Sequence, residues 1–221
     1  MMIRHHPDDA LMLAYAAGTL GAGHRLLLDV HLEGCAVCRQ HLARLNAVGG
    51  MLLEELAPAE LSPHALERVL ARIDNAGPAA AEDVPGPSKG VRGKPWLPVP
   101  WPAAMAACDV GPWRWMGPGM YWNRVMLPDA PQAKVFMLRI GAGRMLPQHT
   151  HSQSELTQVL WGAFDDGRSE FRVGDFDETD GTVRHQPTVQ AGGDCICLAS
   201  VEGTLRFDGW LARLMGASIG M

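Results

Sequence analysis

The sequence has no long apolar run. Across its 221 residues, no stretch approaches the ~18 consecutive apolar residues that a membrane-spanning helix requires. The first residues also lack the apolar segment and the small-residue cleavage site that mark a signal peptide. We therefore expect neither association with a membrane nor export through a cleaved leader.

Lysine is absent from the first 75 residues. Their six arginines face nine aspartates and glutamates, which leaves this segment with a net charge of -3, and the whole chain carries -5. A protein that binds nucleic acid directly normally presents a basic face. We therefore expect no direct contact with DNA or RNA, whereas binding to a protein that itself contacts nucleic acid stays open.

Cysteine is too scarce for a disulfide framework. The chain has five cysteines, an odd number, and two of them form the Cys-x-x-Cys pair of Cys35 and Cys38. This usage is typical of the reducing cytoplasm, so we predict a cytoplasmic protein. Hydrophobic residues make up 47% of the chain, which is enough for both halves to form a core.

The first 75 residues carry helical signals. Acidic residues begin the first segment, glycine or proline follows the later ones, and Leu66, Val69, Leu70 and Ile73 form one helical stripe. The sequence predicts four helices: from Asp8–Asp9 to Gly18, from Gly23 to Glu33 with Gly34 as C-cap, from Ala36 to Leu56, and a last one with Ser62 as N-cap and Pro63 as its first residue.

The second half carries strand signals. Residues 76–106 are rich in Gly, Ala and Pro and predict a linker. Short β-rich segments follow without helices between them, which favours a sandwich or barrel. They lie at residues 134–140, 155–162, 195–201 and 204–207, with a hairpin turn at Asp166-Gly167. We therefore predict a helical domain over residues 1–75, a linker over 76–106, and a β domain over 107–221.

A group of soft metal ligands lies at the junction of the second and third helices. His31-x3-Cys35-x2-Cys38 supplies three of the four ligands that a structural zinc needs. The fourth is one of four histidines, and the pair before the first helix is favoured because a metal adds most where it links distant segments. These candidates are His5, His6, His24 and His41.

Residues 1–75 resemble the zinc-binding anti-sigma domain in their helical layout and their His-x3-Cys-x2-Cys core. The resemblance implies a zinc ion held by His6, His31, Cys35 and Cys38. It also implies that the domain binds a group IV (extracytoplasmic-function) sigma factor and blocks its access to RNA polymerase. The acidic balance of this segment suits such a partner, because sigma factors present basic DNA-binding surfaces.

A second group of ligands lies in the β-rich half. Alternation along a strand places His149 and His151 on one face, and Glu155 follows after a short turn. A fourth ligand should come from another strand, and His185 is the one histidine after His151. Three imidazoles and a carboxylate form a site that often keeps a position open for chemistry.

Gly143-x5-His149-x-His151-x3-Glu155-x6-Gly162 matches the first motif of the cupin family at every defined position. The second motif is matched less closely, since Gly174 and His185 have the expected separation but the expected Pro, Gly and Asn are replaced. The resemblance covers residues 107–214 and implies a double-stranded β-helix, a jelly-roll-like barrel, with His149, His151, Glu155 and His185 as metal ligands.

Two further clusters of polar or cysteine side chains can be explained without a metal site. Asp175, Asp177, Glu178 and Asp180 favour a solvated acidic loop. Cys195 and Cys197 lie on one strand face, where core packing and a redox-active pair both stay open.

Taken whole, the chain resembles anti-sigma factors of the ChrR type, which join a zinc anti-sigma domain to a cupin and regulate the response to singlet oxygen. The resemblance implies an α+β, two-domain protein with a zinc ion in each domain, no enzymatic activity, and a 1:1 complex with its sigma factor until oxidative stress releases it. The identity of the cupin metal stays open. The competing hypothesis is a metal-dependent cupin dioxygenase or isomerase, with the N-terminal zinc domain as a tether.

Overall fold

The structure, a computed structural model, describes residues 2–75 and 95–207. Within these ranges four α-helices precede the strands, as the sequence predicts. The helices are α1 (Asp9–Ala16), α2 (Ala22–Gly34), α3 (Ala36–Glu54) and α4 (Ala65–Asn75), and a short 3-10 helix follows at Ala103–Met105. No helix in the described ranges is long and apolar enough to span a membrane.

The β-rich half is assembled from antiparallel strands. Seven of them form one sheet, in the order β1-β3-β4-β11-β6-β9 with β2 beside β3, and the rest form a three-stranded sheet (β10-β7-β8) and a two-stranded one (β12-β5). The strands are β1 (Asp109–Val110), β2 (Arg114–Gly117), β3 (Met120–Leu127), β4 (Ala130–Ile140), β5 (His149–His151), β6 (Glu155–Trp161), β7 (Ala163–Asp165), β8 (Glu170–Arg172), β9 (Phe176–Thr179), β10 (Thr188–Val189), β11 (Cys195–Val201) and β12 (Leu205–Phe207).

The strand predictions are confirmed where they can be compared. The four β-rich segments correspond to β4, β6, β11 and β12, and the turn at Asp166-Gly167 joins β7 to β8, whose residues Asp165 and Glu170 are paired. Residues 76–94 and 208–221 lie outside the described residues. The division into domains at 75 and 107 therefore stays a prediction.

The helices α1 and α3 end two residues earlier than predicted, at Ala16 and Glu54, and two other helix ends differ in how they are formed. The helix α4 begins at Ala65 instead of Pro63, because His64 adopts the left-handed region at φ 61° and interrupts the turn. Gly34 is the last residue of α2 rather than its cap. Cys35 takes that place in extended geometry and also N-caps α3.

The helix α2 packs flat on the outer face of the large sheet. Its residues Leu27 and Leu28 are fully buried and share a core cluster with Leu156 of β6 and Leu198 of β11. Burying an aliphatic side chain of this size contributes roughly 1.5–3 kcal/mol. The helical segment and the β-sheet are thus joined by one apolar layer.

The strand β6 separates that outer layer from the barrel interior. Successive side chains point to opposite faces, so Leu156 and Leu160 join the cluster under α2 while Val159 joins an inner cluster. Trp161, which alternation places on the same face as Val159, is 41% exposed because it lies at the end of the strand. The strand ends at Trp161 and is followed by Gly162, where φ is +75° and a Cβ would lie 2.3 Å from the Asp194 carbonyl oxygen.

Candidate metal centres

The turn between α2 and α3 presents three ligands of the N-terminal centre. His31 lies in the last turn of α2, Cys35 caps both helices, and Cys38 lies in the first turn of α3. The Cys38 backbone N–H donates to the Cys35 Sγ at 3.4 Å. The Arg39 guanidinium donates to the carbonyl oxygens of Leu32 (2.6 Å) and Glu33 (3.0 Å), which fixes the turn.

His6 reaches the same place from the segment before α1. Its Nδ1 lies 3.3 Å from the Cys35 Sγ and 3.4 Å from the Cys38 Sγ, and one ligand atom from each of His6, His31, Cys35 and Cys38 falls within 4.8 Å of the others. Two donors bound to one zinc ion lie roughly 3–4 Å apart. These four residues therefore fit a closed tetrahedral zinc site.

The imidazole of His31 is oriented for a metal. Its Nδ1–H donates to the Gln158 Oε1 at 3.0 Å, and its Nε2 is buried without a hydrogen-bond partner. A buried polar atom without a partner costs about 1–3 kcal/mol, and a metal ion would satisfy it. Burial lowers the pKa of His31, which favours the neutral form that binds metal.

The thiol of Cys38 fits the same assignment. Burial, together with the neighbouring Cys35, raises its pKa to about 12. The Cys38 thiol would therefore stay protonated without a nearby cation, and a zinc ion would displace the proton.

The other three candidates for the fourth ligand lie elsewhere. His5 packs its ring on Phe171 with the centroids 4.6 Å apart. His24 is buried between the hydroxyls of Ser200 (2.9 Å) and Ser154 (2.8 Å). His41 lies 3.8 Å from the carboxylate of Asp9.

The second group of ligands converges inside the barrel. His149 and His151 begin and end the short strand β5, Glu155 begins β6, and His185 lies opposite His149 in an isolated bridge before β10. All four are buried. The same-face placement of His149 and His151 predicted from alternation is what brings both imidazoles to Glu155.

The distances at this group match a coordination shell. The His151 Nε2 lies 2.9 Å from the Glu155 Oε2, and the His185 Nε2 lies 3.0 Å from that of His149 and 3.3 Å from that of His151. The His149 Nδ1–H donates to the Pro147 carbonyl at 2.8 Å, which leaves its Nε2 as the ligand atom. The Glu155 Oε2 faces the Nε2 atoms of all three histidines, at 4.0 Å from His149, 2.9 Å from His151 and 3.7 Å from His185. Three imidazole nitrogens and a carboxylate turned towards one point fit a metal ion.

Electrostatics at the group favour the ligand forms. Burial alone would raise the pKa of Glu155, but the hydrogen bond and charge of His151, with His149 and His185, lower it. Burial lowers the pKa of His185 to about 4. The carboxylate is thus ionised and the His185 imidazole neutral near neutral pH, as a metal ion requires.

A third cluster brings Asp166 and Asp177 near His185, with one ligand atom from each within 4.8 Å. The Arg168 guanidinium already occupies both carboxylates, donating to Asp177 at 2.7 Å and to Asp166 at 2.6 Å. We therefore interpret this third cluster as an ion-pair network around Arg168 and not as a metal site. Burial, only partly offset by Arg168, raises the pKa of Asp177 to about 7.

The acidic cluster is therefore not the solvated loop that the sequence predicts. Asp175 and Asp177 are buried, at 1% and 6% exposure. Only Glu178 and Asp180 are exposed. Asp177 is paired with the Arg168 guanidinium, and Asp175 accepts from the backbone N–H groups of Arg4, His5 and Arg172.

A cavity of about 70 Å³ adjoins the second group of ligands. Its walls include His149, Glu155 and His185 beside apolar side chains, and Cys195 and Cys197. The two Sγ atoms are 3.6 Å apart in an inner core cluster. The hydrogen bond between them and burial raise the pKa of Cys197, which disfavours its reactive thiolate. Packing is therefore the interpretation that the structure favours.

Sequence reasoning missed the residues that hold the N-terminal ligands from the β-rich half. Gln158 contacts His31, and Asp175 holds the segment that carries His6. The sequence signal that could have found Gln158 is its position between Leu156 and Leu160, as a polar residue on an otherwise apolar strand face.

Comparison with known proteins covers both halves. Residues 102–203 match the ChrR cupin-like domain family, and residues 9–39 match a zinc-finger family. The chain is 39% identical over 217 residues to the anti-sigma-E factor ChrR of Cereibacter sphaeroides, covering 97% of both proteins. The zinc-finger match supports zinc as the metal of the N-terminal group.

The fold is also similar to a chain solved in the crystal structure of Rhodobacter sphaeroides SigE in complex with the anti-sigma ChrR. The TM-score is 0.67 and the identity 36%, and the alignment covers 91% of this chain and 100% of the solved one. The predicted fold class, four N-terminal helices followed by a cupin, is confirmed.

Proposed function

This chain belongs to the ChrR family of anti-sigma factors, and we propose that it sequesters a group IV (extracytoplasmic-function) sigma factor through its N-terminal helices. The cupin half then senses singlet oxygen or a related oxidant and triggers release. The alignment with an anti-sigma factor over nearly the whole chain supports a regulatory role rather than that of a cupin dioxygenase or isomerase.

An exposed apolar surface on α3 and α4 supports the binding of a protein partner. None of the residues of α4 is buried. Its stripe of Leu66, Val69, Leu70 and Ile73 is 50–68% exposed, and Met51, Leu52 and Leu53 at the end of α3 are 59–69% exposed. Apolar surface of this extent marks interaction sites, and paired amphipathic helices suit a helical partner.

The N-terminal centre would fix the helices that present this surface. Zinc held by His6, His31, Cys35 and Cys38 would join the segment before α1 to the ends of α2 and α3. A closed site of this kind contributes directly to folding. Loss of the metal is therefore expected to disorganise the surface.

The cupin centre would be the vulnerable one. Imidazole rings are electron-rich and react with singlet oxygen, and His149, His151 and His185 are brought together around one position. Damage to one ligand would weaken metal binding there. The damage can release the sigma factor only if the bound and free conformations differ in free energy at this centre.

The binding part of the proposal is tested by isolating the tagged chain from its native cells and analysing bound protein and metal together. We expect a group IV sigma factor in equimolar amount with the wild-type chain and its loss when Cys35 and Cys38 are both replaced by Ser. Recovery of the sigma factor with the double variant, or none with the wild type, would overturn it.

The sensing part is tested on the purified complex. The double variant His149→Ala/His151→Ala and the wild type are exposed to singlet oxygen from an illuminated photosensitiser, and free sigma factor is measured over time. We expect the variant to lose the oxidant-dependent increase that the wild type shows. His41→Ala, a histidine outside both groups, is the control, and unchanged oxidant-dependent release from the double variant would refute the sensor.

A further inference from the structure

Strand β6 carries a residue of each metal centre on opposite faces. Glu155 points into the barrel with the cupin ligands, whereas Gln158 lies on the face covered by α2. The two positions are three residues apart, and an odd separation places side chains on opposite faces of a strand.

Gln158 is a buried polar residue whose side chain makes a hydrogen bond to a candidate metal ligand. It is 3% exposed, and its Oε1 accepts the hydrogen bond from the His31 Nδ1–H at 3.0 Å. This contact fixes the tautomer of His31 and directs its Nε2 towards Cys35 and Cys38. A partner that holds the second nitrogen of a ligand histidine also sets the orientation of its ring.

Strand β9, which pairs with β6, holds the segment that carries His6. The Asp175 Oδ1, just before β9, accepts from the backbone N–H groups of Arg4 (2.7 Å) and His5 (3.1 Å). The Phe176 N–H donates to the His5 carbonyl at 3.1 Å. Gly174 keeps the approach open, because a Cβ there would lie 2.8 Å from Ile3.

The two histidine ligands therefore depend on the β-sheet, whereas the two cysteine ligands depend on the helices. We propose that Gln158 is a positioning residue of the N-terminal metal centre, so that strand β6 of the cupin half forms part of that centre. This inference rests on the metal assignment made in the proposed function, and it adds a residue of the cupin half that orients a ligand of the zinc domain.

The size of the effect follows from other metal sites. Substituting a residue that orients a ligand histidine typically costs about 10–100-fold in metal affinity. Gln158→Met keeps the length of the side chain but removes the acceptor. Gln158→Glu keeps an oxygen acceptor at the same reach and serves as the rescue variant.

Cobalt(II) distinguishes the two centres in the intact chain. A thiolate-to-cobalt charge-transfer band arises only where cysteine coordinates the ion, and the cupin ligands contain no sulfur. Competition between the full-length protein and a chelator, followed at this band, therefore reports the affinity of the N-terminal centre alone.

We expect Gln158→Met to weaken cobalt binding at this band by about 10–100-fold and Gln158→Glu to restore it to within about threefold of the wild type. The matched control is Ser154→Ala, which removes a contact of His24 in the same interface and leaves His31 untouched. It should stay within about threefold of the wild type, since it tests docking of α2 without touching a ligand.

Three outcomes would overturn the inference: equal affinity of Gln158→Met and wild type, failure of Gln158→Glu to restore binding, or an equal loss in Ser154→Ala. Sigma-factor binding by the wild type is measured separately. Its absence would refute the proposed function and leave the comparison of cobalt affinities intact.

Discussion

His24 of α2 and Ser200 of β11 lie 176 positions apart in sequence, yet the His24 Nδ1 and the Ser200 Oγ are 2.9 Å apart. The helix approaches the sheet so closely because the residue before His24 is glycine. A Cβ at Gly23 would lie 2.5 Å from the Ser200 Oγ and 2.9 Å from a methyl group of Val135. The helical and β halves are fitted to each other at this point.

Gly23→Ala should therefore destabilise the protein. The added methyl group would push α2 from the sheet and disturb the contact between His24 and Ser200, at a cost of roughly 1–3 kcal/mol. Gly50→Ala is the matched control, since Gly50 lies in α3 and a Cβ there would have nothing within 4 Å. Alanine there should stabilise by about 0.5–1 kcal/mol. Urea unfolding of the two variants measures both, and equal effects would contradict the close fit.

Leu70→Glu should weaken binding of the sigma factor. Leu70 is half exposed on the apolar stripe of α4, and burying a carboxylate in an apolar interface costs several kcal/mol, which corresponds to a loss of at least about 100-fold in affinity. Met126→Glu, an exposed apolar residue on β3, should leave the affinity unchanged. Calorimetric titration with the purified sigma factor measures the two affinities. An equal affinity of Leu70→Glu and wild type would contradict binding through this surface.

Metal content should fall one centre at a time. We expect two metal ions per chain in the wild type, one in Cys38→Ser, and one in His151→Asn, because each change removes a ligand from one group of four. Cys108→Ser, a buried cysteine outside both groups, should keep both ions. Elemental analysis of purified protein gives the numbers, and retention of two ions in Cys38→Ser would contradict the N-terminal centre.

The metal-free protein should lose stability in mild acid. Burial lowers the pKa of His185 from its ordinary 6.5 to about 4, so between these values the unfolded chain binds a proton that the folded chain does not. Stability is therefore present above about pH 6.5 and is lost as the pH falls towards about 4, by at most about 1.4 kcal/mol per pH unit for one proton.

Urea unfolding of chelator-treated protein at a series of pH values measures this dependence. Burial also lowers the pKa of His24 and His31, which adds to the slope in the same direction. His185→Gln should therefore reduce the slope without abolishing it. A slope that is equal in this variant and the wild type would show that His185 titrates normally.

Local signals predicted the helices and most members of the two candidate ligand groups, whereas His6 was implied by the family resemblance. The predicted first helix does begin at its acidic pair, and Asp8, expected in the first turn, lies one residue before it as N-cap, where its carboxylate accepts from the Leu11 N–H at 2.7 Å. The spacing of His31, Cys35 and Cys38 is short enough that one helix–turn–helix fixes it. His149 and His151 are placed by strand alternation alone.

Signals that depend on tertiary contacts were misread or missed. Gly34 reads as a C-cap, but the turn is closed by Arg39 and Cys35 instead. Asp175 was expected to be solvated because two of its three backbone partners, Arg4 and His5, lie 171 and 170 positions away. Contacts between residues so far apart in sequence leave no local pattern from which they could be predicted.

The opposite faces of β6 also constrain how this chain can change. A one-residue insertion between Glu155 and Gln158 would turn one of the two side chains to the wrong face. Only an insertion or deletion that keeps an odd separation leaves both side chains on their present faces. A chimera that receives a foreign cupin would need a hydrogen-bond acceptor three positions after its ligand glutamate. Without this acceptor, the transplanted barrel could bind its own metal, but the His31 imidazole would lack the hydrogen bond that orients it.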